Sequence, residues 1–213
     1  FNSMIYNKKI FILLTVYLTA LFASNTLGLK TMPFLFDTHL SVAIFFFPIV
    51  FLMTDIVGEV FGRQVSKGFY RMGLLATILQ LVFTFIANMV PASDHFTYLA
   101  SYNDVFSLSF RFAIASVVAF LIGEFQDVIS FMYLKAKLQG RFFILRSFLS
   151  NLWGQLLDTA IWMTIAFAGV YPPSVILKMA LPWFVFKVLM GVVYSPVAAA
   201  CVKFLKRNEA PQV

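Results

Sequence analysis

Six runs of about twenty predominantly apolar residues divide this chain, each long enough to cross a bilayer as a helix. They run from Ile10 to Leu29, Leu40 to Gly62, Gly68 to Val90, Ser109 to Leu134, Ser147 to Val170, and Val175 to Leu205. Of 213 residues, 61% are hydrophobic and only 12% carry a charge, too few to solvate a soluble domain of this length. The expected fold is all-α: a polytopic membrane protein whose single domain, residues 1–213, is a bundle of six transmembrane helices. Phe1-Asn2-Ser3 ahead of Met4 read as a remnant outside it. The first apolar run has no small-residue cleavage site and is followed by further spans, which argues against a cleaved leader. Pro182 and Pro196 predict a kink or tilt in the sixth span.

Charge sets the orientation. Lys8, Lys9, Arg63, Lys67, Arg71, Lys135, Lys137, Arg141, Arg146, Lys203, Lys206 and Arg207 fall on one side of the six spans; Lys30, Arg111 and Lys178 fall on the other. Twelve against three places both termini in the cytoplasm. The net charge of +7 therefore reports cytoplasmic loops beside a lipid bilayer and not a nucleic-acid surface. Pro91 to Leu108 reads as the one long connection, a solvated loop with Asp94, His95 and Asp104.

Against this background, Asp55, Glu59, Glu124, Asp127 and Asp158 stand inside apolar spans. A bare charge at the bilayer centre costs roughly 2.5–3.5 kcal/mol, so such residues pair or line a wet cavity. On the second span Pro48, Asp55, Glu59 and Arg63 share a helical face, and Arg63, one turn past Glu59, is placed to pair with it. On the fourth, Ser116, Gly123, Glu124, Asp127 and Ser130 align; on the fifth, Ser147, Asn151, Gln155 and Asp158 do the same. Both carry Gly-(Glu/Gln)-x-x-Asp, as two walls of one cavity would, although Gly123 and Gly154 equally suit close helix packing. Lys187, near the middle of the sixth span, is the one candidate for a buried cation and calls for a carboxylate partner. Asn25 adds a neutral amide to the first span, a residue that most often bridges helices.

The residue inventory points away from catalysis. Single Cys201 forms no intramolecular disulfide and reads as an apolar packing residue. His39 and His95 fall in loops on the non-cytoplasmic side, no His/Cys cluster has zinc spacing, and neither a nucleophile elbow nor a phosphate-binding glycine loop occurs. No cofactor or metal is expected. Carboxylates accept hydrogen bonds from N–H edges, while Asn and Gln amides both donate and accept. A guanine-like base, with N–H donors beside a carbonyl and faces for aromatic walls, fits that set. So does a cationic or proton-coupled substrate.

Phe47-Pro48, Thr54-Asp55, Glu59 and Gly62-Arg63 together resemble the signature of the queuosine precursor transporter family, a vitamin-uptake-transporter-like group. Arg146-Ser147, Ser150, Gly154-Gln155, Asp158-Thr159, Phe167 and Gly169 extend the resemblance, as do Asn25, Lys30, Ala115-Ser116, Ala119-Phe120, Lys187 and Pro196. Gly58 departs from it where Asn is usual. The resemblance implies a six-helix carrier of the bacterial inner membrane for 7-cyano-7-deazaguanine, 7-aminomethyl-7-deazaguanine or queuine. It casts Glu124, Asp127 and Asp158 as holding the N–H edge of the base, with Asn151 and Gln155 at its carbonyl and ring nitrogens. Asp55, Glu59 and Arg63, with Arg146 and Lys187, form an ion-pair network that gates. The rival expectation is a substrate-binding subunit of an energy-coupling-factor vitamin transporter. A homodimer is compatible with either.

Overall fold

The computed structural model describes residues 2–34, 38–137 and 143–207, and it is overwhelmingly helical. Helix α1 (Asn2–Leu27) leads into a short antiparallel hairpin of β1 (Thr31–Phe34) and β2 (Thr38–Ser41). A 3₁₀ turn, Val42–Phe45, then opens α2 (Phe47–Val60), followed by α3 (Arg63–Met89), α4 (Leu99–Lys137), α5 (Phe143–Phe167) and α6 (Pro173–Arg207). Among the described residues, five helical segments are long and apolar enough to cross a membrane: Lys8–Leu27, Val42–Val60, Gln64–Met89, Leu99–Ile122 and Pro173–Met190. The chain is therefore an all-α polytopic membrane protein.

The hairpin was not legible in the sequence. Two strands alone are marginal in water, and here the rest of the chain holds them. Ser41 donates its hydroxyl to the Gly28 carbonyl while accepting from Ala43 N–H, and Val42 N–H reaches Lys30 O at 2.8 Å. Leu40, 1% exposed, enters an apolar cluster with Ala43, Ile44, Phe112, Met163, Phe167, Met179 and Trp183. A second cluster, toward the chain termini, joins α1, α2 and α3 through Tyr17, Leu21, Val50, Met53, Ile56, Val57 and Phe69.

The second span ends where expected, but α3 starts before Gly68 and α4 before Ser109. Gly62 has φ +88°, a conformation favouring glycine, and it ends the second span so that Arg63 starts α3. Glu59 and Arg63 are therefore not one turn apart on a single helix. The expected loop from Pro91 to Leu108 is largely helical: α4 begins at Leu99, and Asp104 lies within it. An aromatic ladder accounts for the extension, with Tyr102 against Phe106 at 4.4 Å between centroids and against Phe96 at 5.9 Å. Helix α6 continues through Pro182 and Pro196. Lys9 donates to Leu205 O at 3.2 Å, so the start of α1 and the end of α6 lie at the same end of the bundle.

Helices α1 and α3 meet where Gly73 faces Tyr17. A Cβ at Gly73 would lie 2.9 Å from Tyr17 Cε1, and Tyr17, 3% exposed and tilted against Phe69, has no room to swing away. Overpacking of this kind costs about 1–3 kcal/mol. Gly73→Ala should accordingly lower the unfolding temperature of the detergent-purified protein; an unchanged temperature would show that the α1–α3 contact yields freely.

Candidate functional site

Asp158 on α5 and Lys187 on α6 meet in the bundle interior. Lys187 Nζ lies 2.6 Å from Asp158 Oδ2 and 3.3 Å from Thr159 Oγ1. The lysine side chain is 7% exposed and the carboxylate 30%. The ammonium also sits 4.9 Å from the Phe47 ring centroid and 5.8 Å from that of Phe51, both on α2. Four neighbours thus compensate one cation that membrane burial would otherwise penalise.

Each charge has a tryptophan one helical turn away toward the hairpin end: Trp162 follows Asp158 on α5, and Trp183 precedes Lys187 on α6. The indoles lie 10° from parallel with centroids 6.4 Å apart. Together with Ser24 and Asn25 of α1, Ala43, and Phe47 of α2, these four residues line one pocket. It is narrow, close to the size of a single water molecule. Its floor is the ion pair and its upper walls are aromatic.

Asn25 is 2% exposed. Its Oδ1 accepts from Ser116 Oγ on α4 at 2.9 Å, and Ser116 Oγ in turn accepts from Trp162 Nε1 at 3.0 Å. Its Nδ2 is buried with no hydrogen-bond partner among the described residues. The pocket thus offers an acceptor at Asp158, an unused donor at Asn25, and apolar faces.

The other sequence candidates distribute differently. Gln155, one turn before Asp158, is half-buried, and its Oε1 also lacks a partner among the described residues. Glu59 is exposed and pairs with Lys206 of α6 at 2.9 Å. Asp55 is exposed on α2 and is not part of the pocket. The side chains of Arg63, Glu124, Asp127, Arg146 and Asn151 lie outside the described residues. Sequence reading passed over Trp162, Trp183 and Phe47 as pocket-forming residues, and placed Ser116 on the polar face of the fourth span without a partner. The signal for the two tryptophans was their i,i+4 spacing from Asp158 and Lys187. Among the described residues no group of three or more His, Cys, Asp and Glu could hold a metal.

A paired charge, an amide and aromatic walls inside a bundle of apolar helices suit a membrane protein that handles a small molecule. The chain belongs to the family described as "Putative vitamin uptake transporter", whose profile matches residues 41–201. It is 27% identical over 163 residues to the "Probable queuosine precursor transporter" of Bacillus subtilis, covering 75% of this chain and 70% of that one. It is 28% identical over 191 residues to the "Queuosine precursor transporter" of Escherichia coli, covering 88% and 83%. The Haemophilus influenzae "Probable queuosine precursor transporter" is 26% identical over 183 residues, covering 84% and 72%. No solved structure matches significantly. The family and these relatives are transporters, not enzymes.

Breaking a fully buried ion pair costs about 3–5 kcal/mol, and with Asp158 still 30% exposed the loss should be nearer 2 kcal/mol. Lys187→Met should therefore destabilise the detergent-purified protein. Adding Asp158→Leu should recover much of that stability. Equal melting of wild type and Lys187→Met would mean the pair contributes nothing to the bundle.

Proposed function

We propose that this chain imports 7-deazaguanine precursors of queuosine, 7-cyano-7-deazaguanine and 7-aminomethyl-7-deazaguanine among them, across the bacterial cytoplasmic membrane. In this reading it is a six-helix carrier with both termini in the cytoplasm. The observation that carries it is the convergence of Asp158, Lys187, Asn25, Trp162 and Trp183 on one pocket. Asp158 takes the N–H edge of the base, the Asn25 amino group meets its ring carbonyl, and the indoles and Phe47 cover its faces. The names of the relatives support the substrate class.

Glu124, Asp127, Asn151 and Gln155 extend the polar lining along α4 and α5 in this proposal. Asp55 and Glu59, with Arg63 and Arg146, act nearer the cytoplasmic surface as a gating network, into which Lys206 also enters through Glu59. The pocket is closed around its own side chains and admits a planar ring only when α5 and α6 part from α1 and α2. Lys187 is the hinge of that opening: separation from Asp158 leaves the ammonium on the Phe47 and Phe51 faces.

Expression in bacteria lacking precursor synthesis and their own importer, with low 7-cyano-7-deazaguanine supplied, tests the reading. Queuosine should reappear in tRNA. Hydrogen bonds to a charged group contribute about 1.5–3 kcal/mol, so Asp158→Asn should reduce import by about tenfold or more. Absence of queuosine with the protein present in the membrane would refute the assignment. Uptake by the purified chain alone in liposomes would show that no ATPase partner is needed.

A further inference from the structure

We propose that Ser116 is a positioning residue that sets the Asn25 amide to read a ring carbonyl, so that the pocket selects lactam-bearing bases over amino-bearing ones. The proposal rests on the nucleobase reading above and assigns a source for its specificity.

The starting observation is the unpaired Asn25 Nδ2 in a side chain only 2% exposed. A buried donor left without a partner is unfavourable, and a ligand acceptor removes that penalty. Which end of the amide faces the ligand depends on what holds the other end. Trp162 Nε1 has no lone pair to accept with, so it donates to Ser116 Oγ at 3.0 Å. The serine's own proton then goes to Asn25 Oδ1 at 2.9 Å. This relay runs from α5 through α4 to α1. It fixes the amide with its oxygen against Ser116 and leaves its N–H groups for the pocket.

Turning the amide over would bring a second donor to Ser116 Oγ and set the serine proton adrift. The relay therefore opposes rotation. A ring carbonyl at Asn25 completes the pattern of donors and acceptors. An exocyclic amino group at the same place would set two donors against each other. The main chain of Asn25 is also held, through Ser109 Oγ at 3.4 Å from its carbonyl, so the residue cannot easily retreat. The side chain that contacts the ligand is Asn25; Ser116 acts only through it.

The test compares binding of 7-cyano-7-deazaguanine with 7-cyano-7-deazaadenine to the purified full chain by isothermal titration. Wild type should favour the guanine analogue by at least about tenfold, the scale of one mismatched buried hydrogen bond. Ser116→Ala should narrow that preference severalfold, because the amide is then free to turn, while the part that Asp158 draws from the N–H edge of the guanine analogue remains. Ser116→Thr, which keeps the hydroxyl, should restore the preference. Trp162→Phe, which keeps an aromatic wall but removes the first donor, should lose preference like Ser116→Ala and serves if that variant does not fold. Parallel weakening of both ligands by Ser116→Ala, with the ratio kept, overturns the positioning role and leaves the nucleobase reading intact. Failure of wild type to bind either analogue overturns both.

Discussion

The Asp158–Lys187 pair organises the interior of this bundle. A lysine with 7% exposure in an apolar helix is tolerable only with its charge matched, and the match fixes the relative position of α5 and α6 to within one hydrogen bond. The same ammonium rests on the faces of Phe47 and Phe51, which ties α2 to the contact. Three helices are thereby aligned around one cation. Because Trp162 and Trp183 sit one turn along from the paired residues, the alignment also brings the two indoles nearly parallel. The aromatic walls of the pocket are thus a consequence of the ion pair beneath them.

The two ends of the bundle are built differently. At the hairpin end, the apolar cluster around Leu40, Ile44, Phe112 and Phe167 closes over the pocket, and Arg111 of α4 donates to the Ile165 and Ala168 carbonyls at the end of α5. At the terminal end, the apolar cluster of α1, α2 and α3 around Tyr17, Ile56 and Phe69 is supplemented by the exposed Lys206–Glu59 ion pair and by the Lys9 hydrogen bond to the Leu205 carbonyl. Exposed ion pairs hold weakly against solvent and salt.

Hydropathy made much of this fold legible, because a membrane span leaves a long, unbroken signal. The ends of the apolar runs located α3, α6 and the end of α1 within a few residues of the observed helices, while α1 itself begins earlier, at Asn2. Where local chemistry competes with hydropathy, the reading failed. Helix α3 starts at Arg63, ahead of the apolar run from Gly68, because the positive φ of Gly62 ends one helix and lets the next begin at once. The hairpin of Thr31–Phe34 and Thr38–Ser41 is too short to show a period and depends on tertiary contacts. Within the site, Asp158, Lys187 and Asn25 stood out because polarity in an apolar run is conspicuous. Trp162 and Trp183 did not, since aromatic residues are ordinary in membrane helices, and Ser116 was legible only as part of a polar face.

The most direct measurement uses the indoles themselves. Of the three tryptophans, Trp162 and Trp183 line the pocket while Trp153 is exposed. Titrating 7-cyano-7-deazaguanine into detergent-purified Trp153→Phe protein should quench the remaining fluorescence saturably, at the same concentrations at which calorimetry records binding. Calorimetric binding of the base with no change in fluorescence would place it elsewhere in the protein and contradict the assignment of this pocket.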